Sequence, residues 1–162
     1  MPRKSLKSQL LFRFGKFDDL EIGTTKDYVF SRAGDPSRQQ ANHMGLLPIA
    51  VYGDDLQFNF DLNNTIEEII LKFTAGMKCN FGPYRLDIDV VRDYTVDQLK
   101  QYIRSLDLKV CEERSSQTSI EFRVNDIKIR FQKSLNYNES VKKERLVVSD
   151  EFYLTEIRLT RD

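Results

Sequence analysis

The sequence predicts an α+β fold in which two divergent copies of one unit share a largely antiparallel sheet, with helices packed on one side of it. Residues 51–73 read VYGDDLQFNFDLNNTIEEIILKF, and three apolar side chains there alternate with polar ones: Leu56, Phe58 and Phe60. An apolar period of two is typical of a strand with one buried face. Residues 122–132 repeat the alternation at a constant offset with Ile127, Ile129 and Phe131. We therefore predict that these six side chains are buried in equivalent strands.

A second apolar run follows the alternating strand in each copy. In the first copy Asn63 and Asn64 separate the strand from IEEIILKF at residues 66–73, and a short Asn-containing loop between two apolar runs favours a β-hairpin. The counterpart in the second copy is FYLTEIRLTR at residues 152–161, which follows a longer hairpin loop at residues 134–150. The two copies thus have the same order of strands.

One helix is predicted in each copy. Thr24 or Thr25 caps a short helix that ends at Gly34, and Thr95 caps a longer helix in TVDQLKQYIRSLDL. The longer helix has a single apolar face, made of Val96, Leu99, Tyr102, Ile103 and Leu106. A helix of this kind buries its apolar face on a neighbouring element, here the sheet.

Four other segments are assigned from their local patterns. Leu10, Phe12 and Phe14 recur at every second position, so residues 9–17 are predicted to be a strand. An extended acidic stretch, RLDIDVV at residues 85–91, is predicted between FGPY at residues 81–84 and the longer helix. Residues 37–45 and 110–119 are polar and are predicted to be connections between elements.

The length and charge of the chain limit the possible classes of protein. A chain of 162 residues fits one domain, with the copies at residues 9–75 and 76–162 and a flexible basic tail at residues 1–8. Lys plus Arg and Asp plus Glu both total 25, so the net charge does not indicate a nucleic-acid or membrane partner. Residues 46–97 nevertheless contain nine acidic and four basic residues, which suits a basic partner.

The few cysteine and histidine residues indicate a cytoplasmic protein without a cofactor. Cys79 and Cys111 are the only cysteines and lack the CxxC spacing, so we expect reduced thiols. His43 is the single histidine, which argues against a histidine-based metal site or nucleophile. The basic N-terminal stretch has no apolar segment of signal-peptide or membrane length.

The first copy resembles a known structural unit. The pattern comprises IGTTKDYVFSRAGDPS, with Gly23 before the helix cap and Asp35-Pro36 after the helix, followed by YGDDLQFNFD and IEEIILKF. It resembles the repeat shared by the β-lactamase inhibitor proteins and the small lipoprotein of the outer-membrane β-barrel assembly machinery. The second copy has Leu106-Asp107-Leu108 in place of the Gly-Asp-Pro ending, and the lipoprotein's anchoring cysteine is missing. A tandem of the unit resembles the inhibitor proteins, which implies a concave sheet that grips another protein.

Two other classes of function remain open. Asp87 and Asp89 share one strand face, and together with Asp54 or Asp55 they could bind a divalent cation in a metal-dependent hydrolytic enzyme. Aromatic and basic residues alternate in LLFRFGKF and IKIRFQK, as they do in modules that bind single-stranded nucleic acid. Ordinary turns and solvated strand faces explain both patterns more simply, so we expect neither an enzyme nor a metal site.

The sequence therefore favours a non-enzymatic protein-binding inhibitor. The expected form is a cytosolic immunity protein, or antitoxin, that neutralises a bacterial toxin such as a basic nuclease domain. We predict a binding patch on the face of the sheet that the helices leave free: Tyr52, Asp54, Asp55, Gln57, Asn59, Asp61, Tyr84, Asp87, Lys128 and Arg130.

Overall fold

A computed structural model describes residues 4–74, 78–87, 93–137 and 146–160. In these ranges the chain forms three helices and ten strands. In chain order they are β1 (Lys4–Leu6), α1 (Ser8–Phe14), α2 (Lys26–Ala33), β2 (Arg38–Gln40), β3 (Ile49–Tyr52), β4 (Leu56–Phe60), β5 (Ile66–Lys72), β6 (Tyr84–Leu86), α3 (Val96–Ser105), β7 (Cys111–Ser115), β8 (Ser119–Val124), β9 (Ile127–Tyr137) and β10 (Leu146–Thr160).

Eight of the strands form one antiparallel sheet in the order β2-β3-β4-β5-β10-β9-β8-β7. Strands β2, β3 and β4 each pair with the next strand along the chain, and so do β7, β8 and β9. The two four-stranded halves meet where β5 pairs with β10. The remaining strands, β1 and β6, form a small parallel pair. The predicted α+β class is confirmed.

The buried face of the sheet follows the predicted alternation. All six side chains expected in the core are at most 3% exposed: Leu56, Phe58, Phe60, Ile127, Ile129 and Phe131. Residues of all three helices belong to the same apolar core, including Leu11 of α1, Val29 of α2 and Leu99 of α3. Burial of this extended apolar surface is the main favourable contribution to folding.

The two predicted helices are present and begin at the predicted threonines. Thr25, rather than Thr24, caps α2, since its Oγ1 accepts a hydrogen bond from the Tyr28 amide at 3.3 Å. Thr95 and Gln98 form a reciprocal capping box at the start of α3. Each box or cap satisfies amide groups that the first turn of a helix leaves without a partner.

Residues 9–17 were expected to be a strand, and this prediction is wrong, because Ser8–Phe14 form α1. The alternation of Leu10, Phe12 and Phe14 has no structural counterpart. Leu10 and Phe14 are 43% and 63% exposed, whereas Leu11 and Phe12 are buried. Burial here follows the helical repeat, in which successive positions on one face are three or four residues apart.

The two polar connections contain the edge strands of the sheet. Arg38–Gln40 form β2 within residues 37–45, and Cys111–Ser115 form β7 within residues 110–119. All three residues of β2 are exposed, as are four of the five in β7. An edge strand exposed in this way shows no apolar alternation by which the sequence could identify it.

Parts of two other predictions lie outside the described residues. Within the predicted hairpin loop at residues 134–150, the described positions extend β9 and β10, and residues 138–145 are outside the described ranges. In the predicted acidic stretch, β6 ends at Leu86, and residues 88–92 are likewise outside them.

Candidate functional site on the open face of the sheet

The candidate site is the side of the eight-stranded sheet that points away from the core, called here the open face. Backbone pairing places Gln57 of β4 opposite Ile70, Ile70 opposite Arg158, and Arg158 opposite Lys128 of β9. Directly paired residues of adjacent strands point to the same side of a sheet. Gln57 and Lys128 therefore lie in one row, roughly 14 Å apart across three strand spacings.

A second row runs beside the first. Lys72 of β5 pairs with Glu156, Glu156 with Arg130, and Arg130 with Glu121 of β8. Acidic and basic side chains thus alternate along this row. Opposite charges that face each other on neighbouring strands stabilise the pairing of the strands.

Ion pairs fix several of these side chains. The Arg158 guanidinium lies 3.0 Å from a Glu68 carboxylate oxygen and 2.8 Å from one of Glu156. Arg130 lies 2.9 Å from Glu121. Burial alone would lower the pKa of Arg158, but its hydrogen bond to Glu156 and the charges of Glu156 and Glu68 outweigh burial and raise that pKa. The Arg158 cation is therefore held firmly between two carboxylates.

Neutral polar side chains extend this arrangement into the first half of the sheet. Lys72 Nζ donates to Gln57 Oε1 at 3.2 Å, and Gln57 Nε2 donates to Asn59 Oδ1 at 2.7 Å. Val51 and Ile70 flank Gln57 in the same row and are only 2% and 3% exposed. Around Gln57, the open face therefore consists of polar side chains hydrogen-bonded to one another, with nearly buried apolar side chains between them.

Basic residues outnumber acidic ones at the paired open-face positions that the structure describes. The basic residues are Arg38, Lys72, Arg114, Arg123, Lys128, Arg130 and Arg158, and the acidic residues are Glu68, Glu121 and Glu156. Two further carboxylates lie in bulges, those of exposed Glu67 in β5 and of Glu112 in β7, the latter 3.6 Å from Arg123. Among the described residues of this face, basic residues therefore outnumber acidic ones by seven to five.

The structure brings together four of the residues predicted for the binding patch. Gln57, Asn59, Lys128 and Arg130 all lie on the open face and are half-buried. Their common face follows directly from the alternation in β4 and β9. Their neighbours Glu156 and Arg158 were missed, although the alternating polar residues of LTEIRLTR carried the signal, and Glu68 of IEEIILKF was missed as well.

The two predicted tyrosines are not on the open face, and their predicted placement is corrected here. Tyr52 and Tyr84 are each 1% exposed and belong to the core. The Tyr52 hydroxyl donates to the Gly34 carbonyl at 2.8 Å, and the Tyr84 ring packs edge-on against Phe17 with centroids 4.9 Å apart. Burial raises the pKa of both phenols. These side chains fill volume inside the protein and do not contact solvent.

The predicted aspartates lie in turns and at loop ends. Asp55 Oδ2 accepts from the Asn80 amide at 2.6 Å, beside exposed Asp54 in the turn between β3 and β4. Asp61, at the other end of β4, accepts from the Thr65 amide at 3.0 Å. Asp87 accepts from the Ser8 amide at 2.7 Å. Three of these carboxylates therefore bind main-chain N–H groups at separate places.

The residues considered for metal or thiol chemistry do not assemble a site in the described ranges. No three His, Cys, Asp or Glu side chains there are arranged to hold a metal ion. Asp89, which the metal hypothesis requires, lies outside those ranges. Cys79 and Cys111 are half-buried and are not joined in a disulfide.

A separate apolar surface lies at the turn between β4 and β5. A cleft of about 800 Å³ there is lined by residues that include Leu46, Leu47 and Leu62. These three side chains are 48%, 43% and 85% exposed. Lys26 also lines this cleft, and its ammonium group donates to the Leu47 carbonyl at 2.8 Å and lies 5.5 Å from the centre of the Phe60 ring.

None of the helices in the described ranges has the length and hydropathy needed to cross a lipid bilayer. In comparisons with known proteins, the chain matches no protein-family model, no curated protein and no solved structure.

Proposed function

We propose that this protein is a non-enzymatic inhibitor that binds another protein through the open face of its sheet. Most concretely, we propose a cytosolic immunity protein that neutralises a toxin. The observation that carries the proposal is the open face itself, where Gln57, Arg130 and Arg158 are held by polar contacts over the nearly buried side chain of Ile70.

Two features of this face suit protein binding. Seven spacings between eight strands make it roughly 34 Å wide, which accommodates an interface of standard size, about 800 Å² per partner. Ion pairs such as Arg158–Glu156, at 2.8 Å, restrict long side chains before a partner arrives. Less side-chain entropy is then lost on binding, which favours affinity.

The two-repeat architecture is part of the same proposal. The sheet order supports it, because β2 to β5 and β7 to β10 have the same succession of strands and meet at β5 and β10. A threonine-capped helix precedes each set, α2 with Thr25 and α3 with Thr95. We propose that the helices cover one side of the sheet and leave the other side for the partner, as the resemblance to tandem-repeat inhibitor proteins implies.

The test begins with toxin domains encoded beside the gene for this protein. Each is co-expressed with the protein to measure protection of growth, and the purified pair is analysed by calorimetry. We expect one candidate to be bound and neutralised. If no candidate is bound or neutralised, the proposed function is wrong.

A matched pair of variants then locates the binding surface. Asn59→Trp adds a bulky side chain to the half-buried open-face position, whereas Asn63→Trp adds the same group in the exposed turn between β4 and β5. We expect Asn59→Trp to abolish protection at an unchanged melting temperature, and Asn63→Trp to preserve it. The reverse result would place the interface at the apolar cleft near Leu62 instead.

A further inference from the structure

We infer that the apolar cleft at the turn between β4 and β5 is a second docking site. It binds a peptide segment of another protein in which a large apolar side chain lies next to a lysine or arginine. The cleft has a volume of about 800 Å³ and is lined by the start of α2 and by residues of the segments 42–48 and 60–67. It lies at one end of β4 and β5, next to the open face, and the inference does not rest on the proposed function.

Three leucines at the cleft leave much of their surface in solvent. Leu46, Leu47 and Leu62 are 48%, 43% and 85% exposed, and all three line the same cleft. Single exposed leucines are common on protein surfaces, but a group of them around one concavity is typical of an interaction site. Covering these side chains with apolar atoms of a partner is favourable.

Polar contacts within the chain hold the loops that carry the leucines. Asn42 Oδ1 accepts a hydrogen bond from the Leu46 amide at 3.1 Å. In the turn that contains Leu62, the Asp61 carboxylate accepts hydrogen bonds from the Thr65 amide and hydroxyl at 3.0 and 2.7 Å. Because both loops are fixed before a partner arrives, less conformational entropy is lost on binding.

The charged groups of the cleft leave one carboxylate for a partner. The ammonium group of Lys26 donates to the Leu47 carbonyl at 2.8 Å and lies 5.5 Å from the centre of the Phe60 ring. The Asp61 carboxylate accepts hydrogen bonds from its own turn. Glu67 also lines the cleft, is exposed, and has no ion pair or side-chain hydrogen bond within the described ranges. A cation beside the apolar side chain of the partner would complement Glu67.

Two asparagines favour a peptide as the bound group. The side-chain amides of Asn63 and Asn64 line the cleft and make no hydrogen bond among the described residues. A side-chain amide offers both donors and an acceptor, which match the C=O and N–H of a peptide unit. A phosphate, in a nucleic acid or a lipid headgroup, would instead be repelled by the Glu67 carboxylate.

The test uses the isotope-labelled full chain and three short capped peptides. The first contains two leucines and a lysine, the second has glutamate in place of the lysine, and the third has serines in place of the leucines. Binding is followed by NMR chemical shifts. We expect the first peptide to shift the methyl resonances of Leu46, Leu47 and Leu62 and to bind about tenfold more tightly than the second. The third should not bind measurably, because it lacks apolar side chains.

Three variants show which groups are responsible. Glu67→Lys should reverse the preference, so that the glutamate peptide binds more tightly than the lysine peptide. Asp54→Lys reverses an exposed carboxylate in the turn at the other end of β4 and should leave the preference unchanged. Leu62→Ser should weaken binding of the lysine peptide about tenfold, since an apolar contact is lost. All three side chains are exposed, so the melting temperatures should stay near that of the wild type.

Several outcomes would overturn the inference. These are no binding of the lysine peptide, shifts confined to other surfaces, or an unchanged preference in Glu67→Lys. Shifts of the cleft resonances that depend on protein concentration without any peptide would likewise overturn it, because they would show that a second copy of the chain fills the cleft.

The tryptophan variants of the proposed function keep the two surfaces apart. Asn59→Trp should block toxin binding and leave the lysine peptide bound, whereas Asn63→Trp alters the lining of the cleft and should do the reverse. If Asn59→Trp spares toxin binding while the peptide results hold, only the proposed role of the open face is wrong. If the lysine peptide does not bind while Asn59→Trp blocks the toxin, only the docking site at the cleft is wrong.

Discussion

Arg158 of β10 forms an ion pair with Glu68 of β5, with nitrogen and oxygen 3.0 Å apart, across the strand pair that joins the two halves of the sheet. Their side chains are 34% and 24% exposed, so water only partly screens the attraction. We expect a double-mutant cycle of Glu68→Ala and Arg158→Ala to give a coupling of about 1 kcal/mol in the free energy of unfolding. The pair Arg130–Glu121, which lies within one half and is more exposed, should give a smaller value. A coupling near zero for Glu68 and Arg158 would mean that the pair does not help to join the halves.

The buried tyrosines differ in how their hydroxyl groups are satisfied. The Tyr52 hydroxyl donates to Gly34, whereas the buried Tyr84 hydroxyl has no hydrogen-bond partner among the described residues. We expect Tyr52→Phe to lower the free energy of unfolding by about 1 kcal/mol, and Tyr84→Phe to leave it unchanged or raise it slightly. Urea unfolding of both variants measures the difference. Equal destabilisation would contradict the assignment of an unpartnered hydroxyl.

Phe58 lies at the centre of the predicted and observed core. It is fully buried, and its ring meets those of Tyr52 and Phe17 edge-on, with centroids 5.7 and 6.2 Å apart. Phe58→Ala removes these contacts and leaves a cavity, so we expect a loss of about 3–5 kcal/mol in the free energy of unfolding. Gln57→Ala, on the open face of the same strand, is the control and should cost less than about 1 kcal/mol. Similar losses in the two variants would contradict the assigned faces of β4.

The sequence predicted those parts of the fold that local pattern determines. The alternation around Phe58 and Ile129 identified two buried strands, and Thr25 and Thr95 identified the starts of two helices. A strand period and a helix cap are local properties, so a single segment reveals them. The helix at Ser8–Phe14 was missed because a seven-residue segment with several apolar side chains fits both periods.

The candidate site was only partly predictable for a different reason. The alternation placed Gln57 and Lys128 on one face, but it could not show that Glu68 lies beside Arg158, because that contact depends on the pairing of strands distant in sequence. The tyrosines at positions 52 and 84 were assigned to the surface from their chemical type. Tyrosine is amphipathic, and its aromatic body is as readily buried as exposed.

Asp61 organises the turn between β4 and β5. Its carboxylate accepts hydrogen bonds from the amides of Asn63 and Thr65 and from the Thr65 hydroxyl, at 2.9, 3.0 and 2.7 Å. We expect Asp61→Ala to lower the free energy of unfolding by about 1–2 kcal/mol, because these donors lose their acceptor. Asp54→Ala, in the turn at the other end of β4, should change it by less than about 0.5 kcal/mol. Thermal unfolding that does not distinguish the two variants would show that Asp61 is not required for the turn.

Asp19, which precedes α2, forms a polar cluster with Tyr28 and Arg32. Its carboxylate accepts a hydrogen bond from the Tyr28 hydroxyl and forms an ion pair with Arg32. Both contacts hold the pKa of Asp19 below the ordinary 3.8, and the hydrogen bond from Tyr28 is the larger cause. We expect Tyr28→Phe to raise the pKa of Asp19 toward 3.8, and Arg32→Gln to raise it less, as measured by NMR titration.

A lowered carboxyl pKa has a definite consequence for stability. The folded state binds the proton of Asp19 less readily than the unfolded state does, so ionised Asp19 favours folding above pH 3.8. That contribution is lost as the pH falls through the lower folded-state pKa. In Tyr28→Phe the folded-state pKa of Asp19 should approach its unfolded-state value. The acid-induced decline in stability below pH 3.8 should then become shallower than in the wild type. An unchanged titration of Asp19 in Tyr28→Phe, or a larger rise in Arg32→Gln, would show that the arginine charge and not the phenol hydrogen bond controls this carboxylate.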